Sequence, residues 1–296
     1  MNEQYADVGR GVTLCYETFG DPSDPPLLLV MGLGMQMIGW HHDFCGELAG
    51  RGFHVVRFDN RDAVRSTHFR GPAPTLRQLL TRRFAENQYR LTDMAEDATD
   101  LLRELDLAPA HVVGASMGGM IAQTMAARHP ESVRTLTSIM SNTGSRVSGQ
   151  PAPSLYKPLL TPAPVEREAF LDHVERIFTR IGSPGRADVE DLREIAGLSY
   201  DRARDAASTA RQLAAILASG NRVRDLRRIK APTLVIHGTA DKLVRPSGGR
   251  ATAKAIPGAR LLSIDGMGHD LPRAFWPRIV DAIAQHARSS RSAVAV

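Results

Sequence analysis

Ser116 stands at the centre of Gly114-Ala115-Ser116-Met117-Gly118, with a different kind of chain on each side. Before it, Ala110-His111-Val112-Val113 is short, apolar and β-branched; after it, Gly119 to Arg128 has helical spacing and stops at Pro130. Strand, sharp turn and helix in that order put a serine hydroxyl at the apex of strained backbone. The flanking glycines spare that turn a collision with the neighbouring strand and helix. A hydroxyl so placed is a candidate nucleophile, and the Met117 amide at the helix start points to the same spot.

A hydroxyl is a poor nucleophile alone, because it needs a base to take its proton and an acid to hold that base in one tautomer. Asp241, in Gly238-Thr239-Ala240-Asp241, follows one buried strand, and His269, in Gly266-Met267-Gly268-His269, follows the last. The loops after parallel strands gather at one sheet edge, so three residues distant in sequence can converge there in the order Ser, Asp, His. Asp265 and Asp270 are nearer His269 in sequence. Asp265, however, ends the strand before the histidine loop and Asp270 directly follows the base, whereas Asp241 approaches from a neighbouring strand. Acyl transfer also needs donors for the oxyanion. Met117 supplies one amide; the second is expected from Leu33 in Met31-Gly32-Leu33-Gly34, which leaves the strand expected beside that of the serine.

Bringing these residues to one edge requires an alternation of strands and helices, and most of the chain has it. Residues 12–19 alternate as a half-exposed antiparallel strand, while 27–31, 52–59, 110–113 and 232–237 read as buried strands and 133–140 and 260–264 as further strands. Helices are expected from about Trp40 to Ala49, from Thr92, which could cap, to Leu105, from Ser247 to Ile256 and from Arg273 to Ala287. The pattern is that of a mostly parallel, doubly wound α/β sheet with right-handed crossovers. Residues 67–91 interrupt it as a solvated insertion or a pocket wall, with a basic helical segment around Leu76 to Phe84. Residues 145–225 are rich in proline at their start and then carry no strand but three helical patterns, with one apolar face at Ala169, Phe170, His173, Val174 and Ile177, another at Leu192, Ile195 and Leu198, and a third from Ala206 to Leu217. They are expected to be a helical cap inserted into a core made of 1–144 and 226–296. Ser289 to Val296 reads as a frayed tail.

With 296 residues and 43% hydrophobic composition the chain can bury a sizeable core. Its formal charge of +5 comes from dispersed arginines without a long basic run, so no nucleic-acid partner is expected. Cys15 and Cys45 are too few for a disulfide framework and read as reduced packing residues. The N-terminus has no basic and apolar export pattern, and no stretch approaches 18 apolar residues. A cytoplasmic protein without a membrane span is the expectation, acting on a small-molecule ester with no metal or cofactor. The oligomeric state is not legible.

The combination of Met31-Gly32-Leu33-Gly34, Asp59-Asn60-Arg61-Asp62, Gly114-Ala115-Ser116-Met117-Gly118-Gly119, Gly238-Thr239-Ala240-Asp241 and Gly266-Met267-Gly268-His269 resembles the α/β-hydrolase fold superfamily over nearly the whole chain. Within it, the chain is similar to actinobacterial carboxylesterase/lipase-like proteins and to the anthracycline methylesterases. The resemblance implies oxyanion loop, strand-4 turn, nucleophile elbow, acid and base at those positions. Two departures stand out. Met31-Gly32 replaces the superfamily's usual His-Gly, as in the methylesterase group, and the usual Asp-x-Arg-Gly-x-Gly-x-Ser turn reads Asp59-Asn60-Arg61-Asp62-Ala63-Val64-Arg65-Ser66, without glycines. The implied activity is ester hydrolysis by a serine esterase. Superfamily members with a serine nucleophile also act as lactonases, thioesterases, C-C hydrolases and perhydrolases, and a ligand-binding receptor can keep the same fold.

Overall fold

The computed structural model describes residues 2–69, 73–156, 158, 161, 163–186, 188–203 and 205–292, with backbone alone at 206 and 290–292. The described chain runs β1 (Gln4–Asp7), β2 (Thr13–Phe19), β3 (Pro26–Val30), α1 (His42–Ala49), β4 (His54–Phe58), α2 (Leu76–Thr81), α3 (Leu91–Glu104), β5 (Ala110–Ala115), α4 (Met117–Arg128) and β6 (Val133–Ile139). It continues with α5 (Arg167–Ile181), α6 (Val189–Arg202), α7 (Ala206–Ser219), α8 (Val223–Leu226), β7 (Thr233–Gly238), α9 (Ser247–Ala255), β8 (Arg260–Ile264) and α10 (Trp276–Ser292).

The strands form one sheet in the order β1-β2-β4-β3-β5-β6-β7-β8. β1 and β2 are antiparallel to each other, and β2 is antiparallel to β4. From β4 onward all neighbours are parallel. The period of two in β3 divides the core: Leu28 and Val30 pack with the buried faces of α3 and α4, and Leu27 and Leu29 pack with α1 and α10. A strand covered on both faces must be apolar throughout, which is why Leu27-Leu28-Leu29-Val30 shows no alternation. The chain leaves β3 toward β4 on one side and returns to β5 on the other. The crevice at this reversal, outside the carboxyl ends of β3 and β5, is where an open α/β sheet receives a ligand.

Local chemistry shifts several boundaries. β1 was not legible because Ala6 is its single buried residue, so an edge strand four residues long shows no pattern. α3 begins at Leu91, and Thr92 lies inside it; the Arg90 amide donates to the Asp93 carboxylate at 2.7 Å, which places the cap two residues earlier than expected. A short 3-10 turn, Met37–Gly39, precedes α1, and another, Arg273–Phe275, precedes α10. α10 continues to Ser292, so the tail expected from Ser289 is helical as far as it is described, and residues 293–296 lie outside the described chain. α2 buries none of its residues, whereas Tyr89 and Leu91 return to the core. Residues 70–72 of that irregular stretch are outside the described chain.

Between β6 and β7 the regular elements among the described residues are helices, α5 to α8 in sequence after a short 3-10 turn at Pro153–Leu155. The expected apolar face of α5 is only half-buried, and its fully buried side chains are Leu171 and Ile181. In α6 the expected Leu198 is exposed, while Ala196 and Gly197 are buried, because this helix packs through its small residues.

Candidate active site

The backbone at Ser116 has φ 55° and ψ −117°, a strained conformation for a residue with a side chain. Its amide is fixed by the Ile139 carbonyl of β6 at 2.9 Å, and its carbonyl accepts from Met120. The flanking glycines are there for space. A Cβ on Gly118 would lie 2.0 Å from the Val30 carbonyl oxygen of β3, and one on Gly114 would lie 2.2 Å from the Gly118 oxygen. Gly119 is constrained too, since its Cβ would meet Ser141 at 2.7 Å. The helix α4 is thereby pressed against β3 and β5, and the Ser116 hydroxyl emerges at their carboxyl ends.

Three residues from three loops converge there. His269 Nε2 lies 2.9 Å from Ser116 Oγ, and His269 Nδ1 lies 2.8 Å from Asp241 Oδ2. An ionised carboxylate can only accept, so Nδ1 carries the proton and Nε2 is left to accept from the serine hydroxyl. The other oxygen of Asp241 accepts from the Leu243 and Val244 amides at 2.9 and 2.8 Å. Burial pushes the Asp241 carboxyl upward, but His269 and His237, through charge and hydrogen bonding, outweigh it and hold the group at about 2. Asp265 accepts instead from the Thr239 hydroxyl, and both oxygens of Asp270 accept from Ser183.

The Met31-Gly32-Leu33-Gly34 loop leaves β3, which pairs directly with β5. Gly32 passes so close to the nucleophile that a Cβ would lie 3.2 Å from Ser116 Cβ. Among the described residues no protein acceptor takes the Leu33 or the Met117 amide. The loop is held from both ends. Asn60 donates to the Met31 carbonyl at 3.0 Å, Asp59 accepts from the Met37 amide at 2.6 Å, and Gln212 of α7 accepts from the Gly34 amide at 2.9 Å.

The turn after β4 shows how it dispenses with its usual glycine. Asp62 stands at φ 65°, the left-handed region that aspartate tolerates better than most residues. Its carboxylate repays the strain by accepting from the Phe69 amide, the Tyr89 hydroxyl and Arg211. Asp59 is likewise paired, with Arg202 at 2.9 Å. Both arginines come from helices between β6 and β7, at the end of α6 and in α7.

Several residues that shape the site gave no signal in the sequence. His237, at the end of β7, donates from Nε2 to the Val244 carbonyl at 2.7 Å and lies 3.4 Å from Asp241 Oδ2. Its position one residue before Gly238, at the end of a buried strand, was the available clue. Gln212 and Arg211 lie on α7, Arg202 ends α6 and Ser183 stands in the loop just after α5; helical periodicity and loop composition do not report which polar residue reaches a distant loop.

Residues 25–272 match the model of the alpha/beta hydrolase fold family. Rhodomycin D methylesterases DauP of Streptomyces sp. (strain C5) and DnrP of Streptomyces peucetius are each 31% identical to this chain, over 94% of it and 96% of their own length. Among solved structures, an esterase from Rhodococcus sp. ECU1013 superposes with a TM-score of 0.75 at 19% identity, covering 98% of this chain and 99% of that one. An enol-lactonase from Burkholderia xenovorans LB400 gives 0.72 at 23% identity, over 98% and 100%. At such identities these two likenesses speak to fold.

Proposed function

The chain belongs to the alpha/beta hydrolase family, and on that premise we propose that it cleaves carboxylic esters through an acyl-enzyme formed on Ser116. It is a hydrolase of carboxylic esters, the activity named for its methylesterase relatives. The observation that carries the mechanism is the hydrogen-bonded chain from Ser116 Oγ through His269 to Asp241.

In this reading His269 Nε2 takes the Ser116 proton as Oγ bonds to the ester carbonyl carbon, and the carbonyl oxygen becomes an oxyanion held by the Leu33 and Met117 amides. The tetrahedral species collapses, the C–O bond to the alcohol breaks, and the imidazolium returns its proton to the departing alkoxide. Water then attacks the acyl-enzyme with His269 again as base. The carboxylic acid leaves and Ser116 regains its proton. Asp241 keeps one tautomer throughout and stabilises the imidazolium. The strained backbone at Ser116 costs about 1–3 kcal/mol, and what it achieves is a hydroxyl and an amide presented to one point.

We assign α5 to α7, within residues 145–225, the role of a cap over this point. Support comes from Gln212, which reaches the Gly34 amide, and from Arg202 and Arg211, which reach the turn beside that loop. The substrate we assign is a methyl ester on a bulky fused-ring acid, a reading supported by the 31% identity to rhodomycin D methylesterases along nearly the whole chain.

Three measurements test this. Ser116→Ala should lose on the order of 10³-fold or more in kcat while the variant stays folded. A phosphonate ester should label the wild type at Ser116. Wild-type turnover by Ser116→Ala would end the serine-hydrolase reading. A panel running from p-nitrophenyl acetate to methyl esters of fused-ring acids should give its highest kcat/KM at the bulky methyl esters; a preference for short acyl esters would overturn the substrate assignment alone.

A further inference from the structure

We propose that Ser183, at the end of α5, is a positioning residue for His269 and that Ser183 and Asp270 together clasp the loop carrying it. The proposal rests on the reading of His269 as the base. That loop has two separate supports. Met267 belongs to the core side: its carbonyl accepts from the Ala240 amide at 2.9 Å, and a Cβ on Gly238 would lie 2.0 Å from that same oxygen. Residues 268–270 are held by the helical insertion.

The Gly268 amide donates to Ser183 Oγ at 2.8 Å, and the His269 amide donates to the Ile181 carbonyl at 2.7 Å. The Ser183 hydroxyl then donates to Asp270 Oδ1 at 2.6 Å, while the Ser183 amide donates to Asp270 Oδ2 at 3.0 Å. One hydroxyl thus accepts from the residue before the histidine and donates to the residue after it. Ser183 is 2% exposed, so water does not replace these bonds cheaply.

The glycines of the two strands of chain show how close the contact is. A Cβ on Gly268 would lie 2.2 Å from the Gly182 carbonyl carbon, and one on Gly182 would lie 2.6 Å from Asp270 Oδ2. Neither glycine is at positive φ, so their small size serves approach and not an unusual turn. An imidazole must stand within hydrogen-bond reach of both Asp241 and Ser116 at once, and its ring goes where its backbone puts it. A displacement near 1 Å in such a constellation costs about 10²-fold in rate.

The test uses the full chain and p-nitrophenyl acetate, with Ser183→Ala, Asp270→Asn, both together, and Arg180→Ala as a control on the exposed face of the same helix end. Ser183→Ala should lower kcat about tenfold to a hundredfold, with KM changed less than about twofold, because bound acetate ester does not touch the clasp. Asp270→Asn should give a smaller loss of the same kind, and the double variant should be scarcely worse than Ser183→Ala. Arg180→Ala should match the wild type. Backbone hydrogen exchange at Gly268 and His269 should quicken in Ser183→Ala, and it reads the clasp without turnover. Absence of esterase activity and of phosphonate labelling in the wild type would overturn the esterase reading alone. An unchanged kcat, a loss confined to KM, multiplying losses in the double variant, or unchanged exchange at both amides would each overturn the clasp. Should Ser183→Ala fail to fold, the near-isosteric Asp270→Asn decides by the same criteria.

Discussion

At Asp241 burial and charge act in opposite directions, and charge prevails, leaving the carboxyl at about 2 against an ordinary 3.8. A carboxylate depressed by folding adds stability that is fully present above its unfolded pKa and is lost as pH falls through the folded one. Asp241 therefore contributes on the order of 2 kcal/mol at neutral pH. The stability gap between the wild type and Asp241→Asn should stay flat from pH 8 to about pH 5 and shrink between about pH 4 and pH 2, as urea titrations at each pH would show. Asp241→Asn should also cost on the order of 10⁴-fold in kcat, far more than Asp265→Asn or Asp270→Asn, whose carboxylates face Thr239 and Ser183. Steric space makes a second residue equally unforgiving. With the Val30 oxygen 2.0 Å from its would-be Cβ, Gly118→Ala must push α4 off β3. Thermal unfolding should show a loss of about 1–3 kcal/mol, accompanied by loss of activity.

The element that couples most of the site is α7. Gln212 accepts from the Gly34 amide and donates to the Arg61 carbonyl at 3.0 Å, so one side chain ties the loop after β3 to the turn after β4. Gln212→Ala leaves the buried Arg61 carbonyl without that partner, at about 1–3 kcal/mol, and releases the part-buried Gly34 amide. The expected outcome is a fall in kcat of about tenfold, with Ser116 still labelled by phosphonate. The two cysteines give a contrasting case at the same scale. Cys15 on β2 and Cys45 on α1 are free and buried, and burial pushes each thiol up to about 12. A thiol reagent at pH 8 should leave both untouched in the native protein and titrate both after unfolding.

Across the whole molecule, the insertion and the sheet are joined by buried charge. Arg202 meets Asp59 and Arg211 meets Asp62, and all four side chains are almost wholly buried. Removing one member leaves the other charged and uncompensated, so Arg202→Ala and Arg211→Ala should each destabilise the protein by about 3–5 kcal/mol. Replacing both members of a pair by apolar residues of similar size should cost much less. These joints, with Gln212 and Ser183, also bear on removing residues 145–225 in favour of a short linker. A folded product should lose hydrolysis of p-nitrophenyl acetate as well as of bulky esters, because the loops carrying Leu33 and His269 lose partners that the insertion supplies.

What the sequence determined by itself was local. β-branched and leucine runs mark the strands, and each of Ser116, Asp241 and His269 follows the end of one within a few residues, which is why residues so far apart could be picked out before any fold was known, although β8, at the sheet edge, proves largely exposed. The glycines around Ser116 could be read as a need for space, although which atoms they spare, the Val30 and Gly118 carbonyls, belongs to the packing. The tertiary structure alone decided the rest. The four-residue β1 finds its place because β2 offers a partner edge, not because its own pattern is strong. Asp62 can occupy a glycine's conformation because Arg211, more than a hundred residues later, accepts the duty of pairing with it. Gln212 looks like any polar residue on an amphipathic helix, and Ser183 like any serine in a loop after one, until these segments are laid over the strand ends. Hydrophobic periodicity repeats within a few residues and is visible in any short window; a hydrogen bond between distant loops leaves no such trace, because its geometry exists only after the chain has closed on itself.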